Sequence, residues 1–591
     1  MEKVNLSENK KPITIERINE VLILLADFFK TAIGPKGLDK VLYEHFNNHM
    51  IISNDGGTII DDLGDQFKPE YAKLILNWGR VLKKEQGDGI KTFYMQLGSI
   101  IQIITALEPE IPKRPILDAL QVLEICWDAF CQNAAFKMEK IYQDQKREEK
   151  MNQVSSQIQD HELRFLKKYL FSIISGKISD NNSKHLINII IEMLEKIGER
   201  LYKPWFDIKN HFQVVKVPGA SVKESRLYNG IFLGKMPANE SLLRNGAIND
   251  PRVLLIKQKL YIDLPDGGNM GPQGNEYSIK LSAADGVASL NNFSKQYATD
   301  LYKKIEKVNP NVVITEKGVA KYLEGLFERN NILLIRRAKP EEFSFLAKYL
   351  GVTPVENLDE IGEKHIAVVN SVVKEKIGRD FQILLKYNPN KKNKGKEVGS
   401  LLVCGSIWYV CEEIEVLLKK LLRTSREFLK DRRYFLGGGN TEFRFIHFTN
   451  QILAPITAQE KGHIEKEEKL PYFDNHLVDK INTLSPKAHY ALKKILSSFH
   501  YLSEGLIESS GRDPIANRIN IASQLVKSKN IMNPIGFDVQ TGSIAQMDKK
   551  QIYENFQSKK ALYKKIFSIA KQIARIDKVI SKKHQIKKNQ D

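Results

Sequence analysis

Cysteine is scarce in this chain, and its spacing excludes several kinds of site. The 591 residues include four cysteines, Cys126, Cys131, Cys404 and Cys411. None of them forms a Cys-x-x-Cys pair, so the sequence indicates neither a cysteine-based metal site nor a disulfide framework. Free thiols are typical of a reducing compartment, and we expect a cytoplasmic protein.

The sequence also lacks the segments that direct proteins to a membrane. Residues 1–11 are polar and charged, unlike a signal peptide. No uninterrupted apolar run reaches the roughly 18 residues of a membrane helix. Hydrophobic residues make up 42% of the chain and charged residues 27%, which is typical of globular proteins. At this length we expect several domains.

Acidic residues are outnumbered: 71 Asp and Glu stand against 90 Lys and Arg, a net charge of +19. From composition alone, such an excess is compatible with nucleic-acid binding. The concentrated basic runs are short, however, at residues 391–396 and 582–588. Short charged runs usually cover solvated faces and loop tips. We therefore expect neither nucleic acid nor membrane as a partner.

Three glycine-bearing turns are clustered near the start of the chain, at residues 34–37, 54–58 and 87–92. Glycine lets backbone N–H groups close on phosphate oxygens, and an aspartate in such a turn can hold a metal or orient water. Together the turns favour a nucleotide site. The alternative for each turn is ordinary punctuation between two elements.

Apolar spacing predicts a helical first part, a mixed middle and a helical last part. We expect helices over residues 13–32, 68–84, 91–107, 114–143, two within 162–200, and 407–430. A hairpin is predicted from residues 41–43 and 50–52. Between residues 311 and 350, strands alternate with helices, which indicates an α/β layer. The polar segment 139–160 indicates a domain boundary, a spacer or an extended helix end.

The motifs, in this order, resemble those of the group II chaperonins, the archaeal thermosome and the eukaryotic CCT subunits. The matching segments are Gly34-Pro35-Lys36-Gly37-Leu38-Asp39-Lys40, Ser53-Asn54-Asp55-Gly56-Gly57-Thr58-Ile59, Gly87-Asp88-Gly89, Val217-Pro218-Gly219-Ala220-Ser221, Gly437-Gly438-Gly439-Asn440-Thr441-Glu442, Gly511-Arg512-Asp513-Pro514, Gly536-Phe537-Asp538-Val539 and Arg575-Ile576-Asp577-Lys578-Val579-Ile580. They span most of the chain.

The resemblance implies an α+β multidomain chaperonin fold whose middle is inserted between two halves. A mostly helical, ATP-binding equatorial domain would comprise residues 1–145 and 434–591. A hinge-like intermediate domain would comprise 146–218 and 373–433. An α/β apical, client-binding domain would comprise 219–372 and carry a lid protrusion near 265–305.

The resemblance also implies a site for ATP and Mg²⁺. Asp88 would bind the metal, and Asp55 would orient water. The implied nucleotide-binding residues are Gly34, Pro35, Gly89, Ile90, Lys91, Thr92, Gly438, Asp538 and Glu554. For Glu554 the alternative is a residue on a surface helix.

Three positions depart from the family pattern. Ile90 and Lys91 stand where the family has threonines, so a hydroxyl donor is lost at Ile90, and Lys91 either supplies charge to phosphate or points to solvent. Counting back from Gly437, Lys420 occupies the place of the catalytic aspartate, unless the register slips. A cation cannot act as a general base.

The resemblance thus implies a subunit that binds ATP, hydrolyses it weakly or not at all, and joins other chaperonin subunits in a homo- or hetero-oligomeric double ring around unfolded or nascent client proteins. The alternative is a chaperonin-derived scaffold or adaptor without nucleotide-driven folding activity. Predicted helices 317–329 and 340–350 would contact clients. The alternative for their apolar residues Leu323, Phe327, Phe343 and Phe345 is a core, which such a stripe more often forms.

Overall fold

The structure is a computed structural model that describes residues 15–44, 49–63, 70–86, 88–138, 160–198, 201, 212–243, 246–261, 286–378, 380–386, 399–459, 475–528 and 530–576. The chain divides into two compact units. Unit 1 comprises Met1–Ile187 and Lys420–Asp591, and unit 2 comprises Asn188–Lys419. The division into three domains stays a prediction.

The helices of the described residues are, in chain order, α1 (Ile15–Lys30), α2 (Gly56–Leu63), α3 (Glu70–Gln86), α4 (Ile90–Leu107), α5 (Lys113–Asn133), α6 (Asp160–Ile174), α7 (Asp180–Ile197), α8 (Gly286–Glu306), α9 (Lys321–Arg329), α10 (Pro340–Leu350), α11 (Trp408–Asp431), α12 (Asn440–Gln459), α13 (Asn475–Asn482), α14 (Pro486–Ser497), α15 (His500–Glu508), α16 (Pro514–Ser528) and α17 (Phe556–Ala574).

The strands are β1 (Lys40–Glu44), β2 (His49–Ser53), β3 (Phe136–Lys137), β4 (Phe212–Pro218), β5 (Arg226–Tyr228), β6 (Gly230–Leu233), β7 (Ala247–Asn249), β8 (Arg252–Ile256), β9 (Val312–Thr315), β10 (Leu333–Ile335), β11 (Ile366–Val368), β12 (Ser371–Ile377), β13 (Asp380–Lys386), β14 (Gly399–Gly405), β15 (Arg433–Leu436), β16 (Ile535–Asp538), β17 (Ser543–Gln546) and β18 (Tyr553–Asn555).

Unit 1 is built around the apolar helix α4, which packs against α1, α3, α14, α15 and α17. A Cβ added to Gly98 of α4 would lie 2.9 Å from the Leu22 carbonyl oxygen of α1, so glycine permits the close approach of these two helices. Helix α4 is also the one described helix that is long and apolar enough to cross a membrane, but 67% of its apolar window is buried inside the protein. Such burial is typical of a core helix.

Unit 2 contains the predicted α/β layer. Strands β8, β9 and β10 run parallel, and β11 joins β8 antiparallel. A second, antiparallel sheet has the order β6-β13-β12-β7, and a third has the order β4-β14-β5. One apolar core includes residues of the first two sheets and of α10, and another includes residues of α8 and α9.

These cores contain the side chains that the sequence offered as client contacts. Leu323 and Phe327 are fully buried, Phe343 is 2% exposed, and Phe345 is partly buried against the core. The core alternative is therefore correct for the first three, since α9 and α10 turn their apolar faces to the sheet.

Two predicted boundaries were wrong. The helix predicted over 114–143 ends at Asn133, because the chain then forms β3, which pairs with β15 and stacks the ring of Phe136 on Tyr434 at 5.8 Å. The turn 54–58 is the start of α2. The hairpin β1–β2 forms as predicted, and all four cysteines are free and buried.

Several sequence predictions lie outside the described residues. They are the polar segment 139–159, the tip 265–272 of the predicted lid, both basic runs, Gly87 and most of the last motif, from Asp577 onward.

Candidate functional site

The three glycine-bearing turns meet at the N-terminus of α4. Asn54 donates from Nδ2 to the Gly37 carbonyl oxygen at 2.9 Å, which joins the first turn to the second. A Cβ added to Gly56 would lie 3.0 Å from the Lys91 side chain and 3.3 Å from the Cβ of Ile90, so the second turn contacts the third. The sequence places these segments tens of residues apart, and the fold brings them together.

The ammonium of Lys91 links the segments that meet at this junction. Its ammonium donates to the Ala32 carbonyl oxygen at 2.7 Å and to Asn54 Oδ1 at 2.6 Å. Burial, with the nearby charge of Lys177, lowers the pKa of Lys91 to about 8. Of the two alternatives for Lys91, the solvent-pointing one is wrong, and the ammonium is engaged by protein oxygens.

Asp55 caps helix α2. Its Oδ2 accepts from the backbone N–H groups of Gly57 and Thr58, each at 3.0 Å, which satisfies donors that the first turn of a helix leaves unpaired. Its Oδ1 lies 4.0 Å from the Lys177 ammonium. Burial alone would raise the pKa of Asp55, but Lys177 and the Thr58 N–H outweigh it, and the pKa is lowered.

Asp88 is paired with Lys420. The Lys420 Nζ lies 2.6 Å from Asp88 Oδ2, and the lysine side chain is 8% exposed while that of Asp88 is 47% exposed. Burial lowers the pKa of Lys420, and Asp88 offsets this only in part. Burial opposes the charge of Asp88 as well, but Lys420 and Lys177 hold its pKa well below its usual range. The pair is therefore an ion pair at neutral pH.

Lys177 is a site residue that the sequence did not single out. It follows Gly176, whose φ is +81° and whose Cβ, if present, would lie 2.5 Å from the Cα of Pro35. This close approach seats the turn between α6 and α7 on the first glycine turn and carries Lys177 toward Asp55. In the sequence, Gly176 and Lys177 indicate a turn between two predicted helices. Their spacing does not indicate that Lys177 lies near Asp55, which is 122 residues earlier in the chain.

Helix α4 begins at this junction without a side-chain cap. Gly89 precedes it with a φ of +84°, and Ile90 is 4% exposed. The first turn, with Lys91 and Thr92, therefore presents backbone N–H groups that no capping side chain occupies. The positive end of the helix dipole favours an anion here.

Gly438, Asp538 and Glu554 belong to a second group. A Cβ added to Gly438 would lie 2.5 Å from the Phe537 carbonyl oxygen, so β16 passes close to this turn. A Cβ added to Gly437 would lie 3.5 Å from the Glu554 side chain. Asp538 accepts from Gln540 N at 3.0 Å and pairs with Lys550 at 3.0 Å.

Glu554 lies on β18 and not on a surface helix, so that alternative was wrong. Its Oε2 is bound by the ammonium of Lys559, which lies 2.7 Å from Glu442. Helix α15 contacts both groups: Leu506 packs on Gly34, and Ser503 packs on Gly439.

The donors at Asp88 do not fit a divalent metal. Asp55 and Asp88 instead face Lys177 and Lys420. Mg²⁺ binds through carboxylates, water and phosphate oxygens, and ammonium groups beside those carboxylates oppose a second cation.

The comparisons with known proteins agree on one family. The family model for the TCP-1/cpn60 chaperonin family matches residues 25–584. The chain is 22% identical over 560 residues to a thermosome subunit of Pyrococcus horikoshii, with 94% of this chain and 89% of the relative covered. It is 24% identical over 559 residues to the thermosome subunit alpha of Methanothermobacter thermautotrophicus, with the same coverage.

Among solved structures, a group III chaperonin in the open state aligns with a TM-score of 0.68 at 17% identity, covering 96% of this chain and 98% of that one. This likeness supports the α+β multidomain chaperonin fold along the whole chain, and the family match extends over nearly the same residues. The chain is a divergent member of the TCP-1/cpn60 chaperonin family.

Proposed function

We propose that this chain is a chaperonin subunit that binds ATP at the three turns and assembles with other chaperonin subunits into a double ring. Family membership along nearly the whole chain supports a ring-forming chaperone. Within this proposal, residues 219–372 form the client-binding domain, between an intermediate domain (146–218 and 373–433) and an equatorial one (1–145 and 434–591). Unfolded or nascent chains in the cytoplasm are its clients.

The first turn of α4 is the proposed phosphate site. Gly89 takes the left-handed conformation that precedes the helix, where a Cβ would lie 3.2 Å from the Leu562 side chain, and the N–H groups of Ile90, Lys91 and Thr92 would bind phosphate oxygens. Gly34 and Pro35 would approach the nucleotide from the neighbouring turn. Gly438, Asp538 and Glu554 would line its ribose and base from the second group.

Weak or absent hydrolysis is the proposed consequence of one observation, the ion pair of Lys420 with Asp88. At the position where the family has a general base, an ammonium cannot accept a proton from water. Loss of a general base typically lowers turnover by about 10²- to 10⁴-fold. Asp55 could still orient water through Oδ1, because only Oδ2 is engaged in capping α2.

The hairpin β1–β2 supports assembly. It forms a two-stranded sheet in the described part of unit 1, and isolated hairpins are at best marginally stable in water. Leu38, Val41 and Tyr43 beside or on it are 64%, 60% and 47% exposed. Exposed apolar side chains next to unpaired strand edges are typical of a surface that a partner chain covers.

The proposal is tested on the purified full-length chain. Electron microscopy should show ring particles, alone or with co-expressed chaperonin subunits, and ATP turnover should be slow. The variant Lys420→Asp should raise turnover by about tenfold or more, because it restores a proton acceptor. Lys419→Asp is the matched control, since Lys419 pairs with Glu415 instead.

Two outcomes would contradict the proposal in different ways. Fast turnover by the unmodified chain would overturn the assignment of Lys420. Rings that bind no nucleotide under any condition would favour the scaffold or adaptor alternative.

A further inference from the structure

We infer that Lys420, together with Lys177, supplies the positive charge that a divalent metal would bring to Asp88, so that the site binds a nucleoside triphosphate without a metal ion. This inference rests on the proposed function, because it concerns the nucleotide of that site. Its starting point is that ammonium groups lie beside the carboxylates of Asp55 and Asp88, where they oppose the binding of Mg²⁺.

The first argument is the balance of charge. Three ammonium groups, of Lys91, Lys177 and Lys420, lie around the two carboxylates of Asp55 and Asp88. The cluster therefore carries one net positive charge before any ligand arrives. A site of two carboxylates alone would repel a triphosphate and require a divalent cation, whereas this cluster attracts the triphosphate and repels the cation.

The second argument is the position of Lys420. Its side chain is nearly buried, and its ammonium is at hydrogen-bonding distance from Asp88 Oδ2. One oxygen of the half-exposed carboxylate is thus already bound by a nearly buried ammonium. An ammonium has three donors, so Lys420 can keep its bond to Asp88 and donate others to phosphate oxygens, which is the bridging role of a metal between carboxylate and phosphate.

The third argument separates the three lysines. The Lys91 ammonium donates hydrogen bonds to Ala32 and Asn54, so its role is to hold the turns together. Lys177 lies 4.0 Å from Asp55 and its side chain is 25% exposed, so it adds positive charge beside the two carboxylates. Lys420 is therefore the cation placed to bridge Asp88 and a triphosphate, and Lys177 contributes charge from beside it.

The experiment is equilibrium binding of ATP to the full chain, by isothermal titration calorimetry, in EDTA and in excess Mg²⁺. The unmodified chain should bind ATP in EDTA within about threefold of its affinity in Mg²⁺, since no protein–phosphate contact depends on the metal. Lys420→Met should lower the affinity in EDTA by roughly 10- to 100-fold, the effect of losing a charge-assisted hydrogen bond. Lys419→Met should leave it unchanged.

Lys420→Asp gives the opposite signature. It should bind ATP only when Mg²⁺ is present, and paramagnetic resonance of Mn²⁺ should detect protein-bound metal in this variant with ADP but not in the unmodified chain. Circular dichroism and the melting temperature verify that each variant is folded, and Lys420→Arg, which keeps the charge, should retain binding in EDTA.

The outcomes separate this inference from the proposed function. ATP binding by the unmodified chain that requires Mg²⁺ overturns the inference and leaves the proposed nucleotide site intact. Absence of ATP binding in both EDTA and Mg²⁺ overturns both.

Discussion

Removal of the Lys559 ammonium should strongly destabilise unit 1. Lys559 lies on α17 between two carboxylates, Glu442 of α12 at 2.7 Å and Glu554 of β18. Its side chain is 8% exposed and that of Glu442 is 1% exposed. Burial opposes its charge, yet the two carboxylates outweigh burial and raise the pKa of Lys559. The variant Lys559→Met keeps the length of the side chain and removes the charge.

The expected loss of stability in Lys559→Met follows from the carboxylates that would remain without their lysine. Glu442 would keep one hydrogen bond, from the Tyr563 hydroxyl at 2.7 Å, while its Oε2 already has no partner. Breaking a buried ion pair by removing one partner typically costs about 3–5 kcal/mol, because the other charge stays buried. Two carboxylates share this lysine, so we expect the upper part of that range, about 4–5 kcal/mol.

Hydrogen exchange measured by mass spectrometry is the appropriate assay, because it reports the opening free energy of individual segments in a chain with two units. Peptides of α17 and α12 should exchange faster in Lys559→Met. The control is Lys565→Met on the same helix, whose partner Glu85 is 55% exposed and whose loss should cost about 1 kcal/mol or less. Equal effects of the two variants would refute the reasoning.

The sign of the pH dependence provides a second check. Burial raises the pKa of Glu554, and Lys559 opposes that rise. Without Lys559 the pKa rises further, so folding favours the protonated carboxyl. A carboxyl with a raised pKa in the folded state loses stability as pH rises through its folded pKa. The deficit of Lys559→Met relative to the unmodified chain should therefore be smaller at pH 5 than at pH 8.

Two further predictions concern basic side chains of unit 1 that lie in or near its core. Arg444, 1% exposed, donates from Nε to the Ile531 carbonyl oxygen at 2.6 Å and from a second nitrogen to that of Ala134, so Arg444→Met should cost about 2–3 kcal/mol by leaving these acceptors unpaired. A melting curve that is unchanged relative to Arg518→Met, a partly exposed arginine, would contradict this. Burial and the charge of Arg518 lower the pKa of His500 to about 4, so this residue should cost stability as pH falls from about 6.5 toward 4, by roughly 2–3 kcal/mol. Urea unfolding of His500→Gln should show a correspondingly weaker loss between pH 7 and pH 5, and an identical pH profile would exclude His500 as the source.

Helices that bury a continuous apolar stripe were predictable from the sequence. The stripe of α1 recurs at helical spacing, and seven of its residues are buried as that spacing requires. The end of α5 was not predictable in this way, because the pairing of β3 with β15 joins segments about 300 residues apart, and no local pattern records such a partner. The start of α2 was missed although Asp55 is a typical helix cap, since the motif was read as a loop.

For the site, the sequence located the turns but not the contacts between their side chains. Glycines at 34, 89 and 438 with positive φ are visible in the sequence as turn residues. The hydrogen-bond partners of Lys91 are not visible in the sequence, because an ammonium on a flexible side chain can reach a carbonyl in any of several directions. From the sequence we predicted only that Lys420 replaces an aspartate of the family. The structure adds that its ammonium is bound to Asp88.

That contact changes what the substitution means. In the proposed function Lys420 stands in place of a proton acceptor, and in the further inference its ammonium, bound to Asp88, also takes the place of a cation there. Both proposed effects act in one direction, toward a site that would hold a triphosphate without cleaving it. In such a site the glycine turns would still shape the backbone that receives phosphate, a task that is independent of hydrolysis. Glycine turns that fit phosphate and lysines that lie beside the two aspartates are therefore compatible in one site. ATP binding and ATP turnover have to be measured separately in this chain.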